Sequence, residues 1–187
     1  MTRRKLRRTH AALLRTLDLG IDQVSDRAVY EVSAPAISEW SVKDHLEHLA
    51  IANEGIVGWI ERVCGGDHGL DSGGGPNLVG RIVLLAGAFP RGRGTAPERT
   101  LPKGTSAEKL VVKSRRIREC VEALQGALPK LRASSATRNH FAFGDLNAAQ
   151  WLRFALIHNH HHQKIIRDIL NARGVRRSTA EQRRGEP

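Results

Sequence analysis

Between Asn147 and Arg173 the chain carries neither proline nor glycine and is rich in strong helix formers, so the spacing predicts one long helix. Inside it lies His158-Asn-His-His-His162, which holds four of the nine histidines. Residues four apart share a helix face. At about 100° per residue, Trp151, Phe154, Ile165 and Ile169 fall within about 40° of His158, and so does His162. Two imidazoles therefore enter the apolar stripe of the longest helix. His160 points roughly the opposite way, and His161 sits at the edge of the stripe. A fold built on this helix must bury the stripe and accommodate both histidines.

Two inward imidazoles one turn apart suit a transition-metal ion such as Zn, Ni or Fe. A single HxxxH pair supplies two ligands, so a third has to come from another element. The competing reading is a pair of core histidines satisfied by hydrogen bonds, or a solvated histidine cluster.

Three more helices are expected ahead of this one. Leu6, Leu13, Leu14 and Leu17 predict an amphipathic helix over residues 4–19, ending near Gly20. His10 occupies an apolar position of that period but lies near the chain start, and reads as a surface or boundary residue. Residues 21–39 read as a connection with at most a helical turn at 21–27. Ser38 and Ser41 are N-cap candidates. Ser41 with Asp44 forms an acidic capping box for a second helix running to Val63, and Gly65-Gly66 stops it. Its stripe is Leu49, Ile56, Ile60 and Val63. His45 and His48 both lie on or beside that stripe, and periodicity does not choose between them as a third ligand. Asp44, Glu47 and Glu54 are this helix's candidates for a carboxylate general base, and none falls clearly on its inward face.

Eleven of the eighteen glycines fall in residues 65–105, with Pro76, Pro90, Pro97 and Pro102. A connection this long is unusual in a compact domain. Leu78 to Phe89 could form a short helix within it, and the segment could wrap over a bundle end. Residues 106–128 predict a third helix on Leu110, Ile117, Val121, Leu124 and Leu128, ended by Pro129. Residues 130–146 read as a loop, and Asn147 caps the last helix. Four main helices and no convincing strand give an all-α four-helix bundle. The long crossover between helices two and three lets those two run parallel. Residues 1–7 read as a basic arm, 8–172 as the bundle and 173–187 as a basic, disordered tail.

Charge and composition bound the partners. The net charge is +11, but most of it sits in residues 3–8 and in the arginines after Gly174. One tyrosine and three tryptophans leave little for base stacking, so nucleic acid is not expected as the main partner. No apolar run approaches the roughly 20 residues of a membrane span. Cys64 and Cys120 form no disulfide framework, and a reducing cytoplasmic setting is expected.

Three stretches together resemble the DinB-like superfamily of metal-binding four-helix bundles. They are Trp40-Ser41 followed by His48-Leu49, then Pro90-Arg-Gly-Arg-Gly-Thr-Ala-Pro97 with Leu101-Pro-Lys103, and then His140 to Trp151 running into His158-x-x-His161-His162. The resemblance covers roughly residues 8–172. Phe141 and Asp145 stand where the family has proline, and Asn147 where it has threonine. The resemblance implies an up-down-down-up bundle with a divalent metal ion held by His48, His158 and His162, while His45 remains the substitute for His48. It further implies a metal-dependent enzyme of the thiol S-transferase or hydrolase type acting on a small molecule. The alternative is a non-catalytic metal-binding stress-response or sensor bundle. His161 and Gln163 would flank the site, and Arg91 and Arg93 could reach an anionic substrate. A homodimer is the expected assembly.

Overall fold

The computed structural model describes residues 1–66, 73–89 and 96–175. Its core is four helices. The first, α1 (Arg3–Ser25), is capped by Thr2 and buries Leu6, Leu13, Leu17 and Val24. It begins inside the stretch read as a basic arm and continues past Gly20, because helical packing carries it to Gln23 and Val24. A single helical turn, α2 (Arg27–Tyr30), follows on an Asp26 cap.

The second long helix, α3 (Val42–Cys64), starts at Ser41 with the expected capping box to Asp44. The crossover then carries a short helix, α4 (Leu78–Ala86), and a helical turn at Glu98–Thr100. The third long helix, α5 (Ala107–Ala123), tightens into a 3₁₀ turn at Leu124–Ala127. Pro129 does not end the helical path; it sits in the first turn of α6 (Leu128–Ala133), where its missing N–H costs nothing.

Residues 130–146 are not all loop. Strands β1 (Thr137–His140) and β2 (Gly144–Asn147) form an antiparallel hairpin. The sequence hides it because neither four-residue strand alternates apolar and polar residues. Gly144 makes it possible with φ +76°, and a Cβ there would stand 2.9 Å from Asn77 N and from Gly75 O. The crossover joins this hairpin through Asn77 N–H to the Phe143 carbonyl and Asp145 N–H to the Gly75 carbonyl. The last helix, α7 (Ala148–Ala172), begins on a reciprocal Asn147–Gln150 capping box.

Helix directions follow from which residues meet. His10 and Asp18 of α1 meet Val121 and Arg118 of α5, so those helices are antiparallel. Glu54 of α3 meets Lys113 of α5, and Glu61 lies beside Cys120, so α3 and α5 are parallel. His45 and His48 of α3 meet His162 and His158 of α7, while Trp59 meets Trp151, so α3 and α7 are antiparallel. The order is up-down-down-up. The main core runs through all four helices, from Leu6 and Leu13 through Ile60 and Val121 to Leu152 and Ile166. No helix is long and apolar enough to cross a membrane among the described residues.

His10 corrects the surface reading. It is buried, and its Nε2–H donates to the Val121 carbonyl at 2.7 Å. The donor thereby adds a side-chain partner to one of the last carbonyls of α5, which also takes a shared bond from the Leu124 N–H.

Candidate metal centre

The site lies where the start of α3 faces the middle of α7. The N-terminal end of α3 is buried on every side: residues 45–50 are all buried. The reason is the crossover, whose residues 100–105 lie over the outer face of this helix. Glu47 grips that segment. Its carboxylate accepts the Gly104 N–H at 3.0 Å, the Thr105 N–H at 3.1 Å and the Thr105 hydroxyl at 2.5 Å. Burial pushes this carboxyl up, but the Thr105 and backbone hydrogen bonds outweigh it and leave it below its ordinary value. Glu47 is thus a buried carboxylate, but it is covered by the crossover on the outer face of the helix and does not face the histidines.

The next residue, His48, faces the other way. Its Nδ1–H donates to the Thr100 carbonyl at 2.7 Å. A carbonyl can only accept, so Nδ1 carries the proton and Nε2 presents a lone pair. That Nε2 lies 3.1 Å from His158 Nε2, which in turn lies 3.1 Å from His162 Nε2. The three histidines bring one ligand atom each within 4.8 Å of one another.

A metal–nitrogen bond of about 2.0–2.1 Å sets ligand nitrogens about 2.9 Å apart at right angles and about 3.4 Å apart at the tetrahedral angle. The observed 3.1 Å lies between these. Lone pairs that converge at this distance repel unless a proton or a cation lies among them. The donor set therefore fits a divalent cation bound by three neutral imidazoles.

Electrostatics keeps the imidazoles neutral. His158 and His162 titrate well below the ordinary histidine range, first because burial penalises their charge and then because neighbouring imidazoles repel it. His48 is also lowered by burial, partly offset by its bond to Thr100. Neutral rings are the ligating form.

Aromatic rings wall the cluster. Trp40 lies 5.0 Å from the His48 ring and runs nearly parallel to His162 at 6.3 Å. Phe154 stacks on His158 at 5.5 Å, and Phe89 of the crossover meets His158 and His161 edge-on. Beyond them His140 is buried against Phe143, Phe154 and Trp151, and burial lowers it to about 4.

The structure thus brings His48, His158 and His162 together. His45 is buried beside them, with its Nδ1 turned toward His162 Nδ1 at 2.9 Å. His160 is exposed, as its angle predicts. His161 packs against Phe89 and the His162 ring. Gln163 is turned away, pairing its amide reciprocally with Gln23 of α1 at 2.9 and 2.7 Å, so it does not flank the cluster. Arg91 and Arg93 lie outside the described residues, as does the chain after Val175. The roles of Thr100 and Phe89, and that of Glu47 as an anchor rather than a candidate base, escaped the sequence reading because they act through the crossover, whose path no periodicity reveals.

Neither the comparison with curated proteins nor that with solved structures gives a match. The family model described as the DinB superfamily matches residues 5–166, which takes in most of α1 and α7, the whole of α3 and α5, the crossover and all three convergent histidines. The chain belongs to the DinB superfamily.

Proposed function

We propose that His48, His158 and His162 are the ligands of one divalent metal ion (Zn, Ni or Fe). We further propose that the protein is a metal-dependent enzyme acting on a small molecule, with a thiol as the favoured nucleophile. The observation that carries this reading is the convergence of three Nε2 atoms, with the His48 tautomer fixed by Thr100. Three protein ligands leave positions open, as in catalytic rather than structural centres. A bound divalent ion supplies Lewis acidity there, making a thiol or a water a competent nucleophile near neutral pH.

The remaining chemistry belongs to the chain. Trp40, Phe89 and Phe154 pack against the histidine rings, and apolar walls of this kind limit water and strengthen electrostatic interactions beside them. A general base for water is missing from the carboxylates of α3. Asp44 caps the helix, Glu47 holds the crossover, Glu54 pairs with Lys113 and Glu61 lies beside Cys120. A thiol ionises far more readily than water and would release its proton to solvent without such a base, which favours a thiol over water as the activated group.

Elemental analysis of purified protein tests the ligands. Wild type is expected to hold one metal ion per chain, and His48→Ala, His158→Ala and His162→Ala each to lose it. Unchanged metal content in any of the three removes that residue from the ligand set. Turnover with a panel of low-molecular-weight thiols and an electrophilic acceptor then tests the chemistry. Absence of turnover with every metal tried would favour the non-catalytic sensor reading.

A further inference from the structure

We infer that His45 and Ser38 are positioning residues, forming a hydrogen-bonded brace that selects the ligating tautomer of His162. This rests on the metal-site reading above and adds a role for two residues outside the ligand set.

The brace is a continuous line. His162 Nδ1 lies 2.9 Å from His45 Nδ1, and His45 Nε2 lies 3.1 Å from Ser38 Oγ. Ser38 Oγ is itself held by the Trp40 backbone N–H at 3.1 Å. All the rings are buried: His45 is 3% exposed and His162 is 8% exposed. Each neutral ring has one N–H and one lone pair. Two proton arrangements satisfy the line. In one, the Ser38 hydroxyl donates to His45 Nε2 and His45 Nδ1–H donates to His162 Nδ1. His162 then carries its proton on Nε2 and offers the cluster no lone pair. In the other, His162 Nδ1–H donates to His45 Nδ1, and His45 Nε2–H donates to Ser38 Oγ. Only this polarity leaves His162 Nε2 free to ligate.

Metal binding therefore selects one polarity of a three-residue chain. His45 acts as the acceptor that makes the ligating tautomer satisfied, and Ser38 as the acceptor that makes the matching His45 tautomer satisfied. Such partners of ligating histidines are worth about 10- to 100-fold in metal affinity. The geometry also says why His45 is not itself a ligand: its Nδ1 is directed at the far nitrogen of His162, behind the ring and away from the three converging Nε2 atoms.

The test is metal affinity by chelator competition, with the Co²⁺ absorption spectrum at saturation. His45→Leu is expected to bind one ion per chain 10- to 100-fold more weakly than wild type. His45→Asn places a side-chain oxygen near the position of the lost Nδ1 and is expected to recover most of the loss. Ser38→Ala, a milder change for a variant that must fold, is expected to weaken binding by a smaller factor in the same direction. Wild-type affinity in both His45→Leu and Ser38→Ala overturns the brace while leaving the ligand set intact. Complete loss of metal in His45→Leu with retention in His48→Ala also overturns it and makes His45 a ligand. A wild-type protein that binds no metal overturns the metal-site reading itself, which separates that failure from failure of the brace.

Discussion

Glu47→Gln is expected to destabilise the fold by about 2–3 kcal/mol, although it changes no volume and removes no atom from the core. The carboxylate uses both oxygens: Oε2 takes the Gly104 N–H, and Oε1 takes the Thr105 N–H and hydroxyl. A glutamine can reproduce only one of these faces. If its oxygen stays on Thr105, its NH₂ meets the Gly104 N–H, and two donors oppose each other at a partly buried site. A hydrogen bond to a charged acceptor contributes about 1.5–3 kcal/mol, and leaving a buried donor unpaired costs about 1–3 kcal/mol. The carboxyl of Glu47 lies below its ordinary value, so the hydrogen bonds outweigh the burial of its charge, and the ionised form is a net stabiliser. With a urea m-value of about 2–3 kcal/mol/M, the midpoint should fall by about 1 M without a change in slope. Urea unfolding followed by circular dichroism reads this directly. A midpoint within about 0.2 M of wild type would refute the assignment of Glu47 as the anchor of the crossover.

Two further outcomes follow from buried histidines. His45 and His140 titrate at about 4, mainly because burial penalises their charged forms. Above the unfolded value of about 6.5 both states hold neutral imidazoles, and no stability depends on them. As pH falls from about 6.5 to about 4 the unfolded chain takes up protons that the folded chain refuses, so stability declines by up to about 3 kcal/mol per group. Unfolding of metal-free protein across this window should show the decline, and a flat profile between pH 6.5 and 4 would contradict it. His10→Ala removes the donor to the Val121 carbonyl and leaves a cavity between α1 and α5, at an expected cost of about 2–3 kcal/mol. His10→Gln, which can carry a donor near the former Nε2, should recover part of that loss; equal stability of all three proteins would return His10 to the surface.

The helices were legible because each buries one stripe. Leu110, Ile117 and Val121 predict α5, and Ser41 with Asp44 marks the start of α3. The HxxxH pair was legible for the same reason, since α7 turns its stripe to the core. Periodicity failed where an element is covered on more than one face. At the start of α3 the bundle takes one side and residues 100–105 take the other, so His45, Glu47 and His48 are all buried. No single stripe could rank them. The choice between His45 and His48 rests instead on which ring nitrogen each presents. His48 turns Nε2 to the cluster, because Thr100 occupies its Nδ1. That partner lies 52 residues further along the chain. The β1–β2 hairpin was hidden for a related reason: its strands are held by Gly144 and by the crossover at Gly75 and Asn77, not by alternation of their own.

The separation of His48 from His158 along the chain is 110 residues. Nothing local can assemble the three nitrogens, so they meet only once α3 and α7 have docked. A metal ion held there would act as a removable cross-link between distant parts of the chain. Unlike a disulfide, its strength would be set from outside: a ligand that binds only the native state stabilises it by RT ln(1 + [L]/Kd), about 2.7 kcal/mol at a hundredfold excess over Kd. The persistence of the folded protein would then track the free metal concentration around it, so that the three side chains proposed to hold the ion would also couple the lifetime of the fold to metal supply.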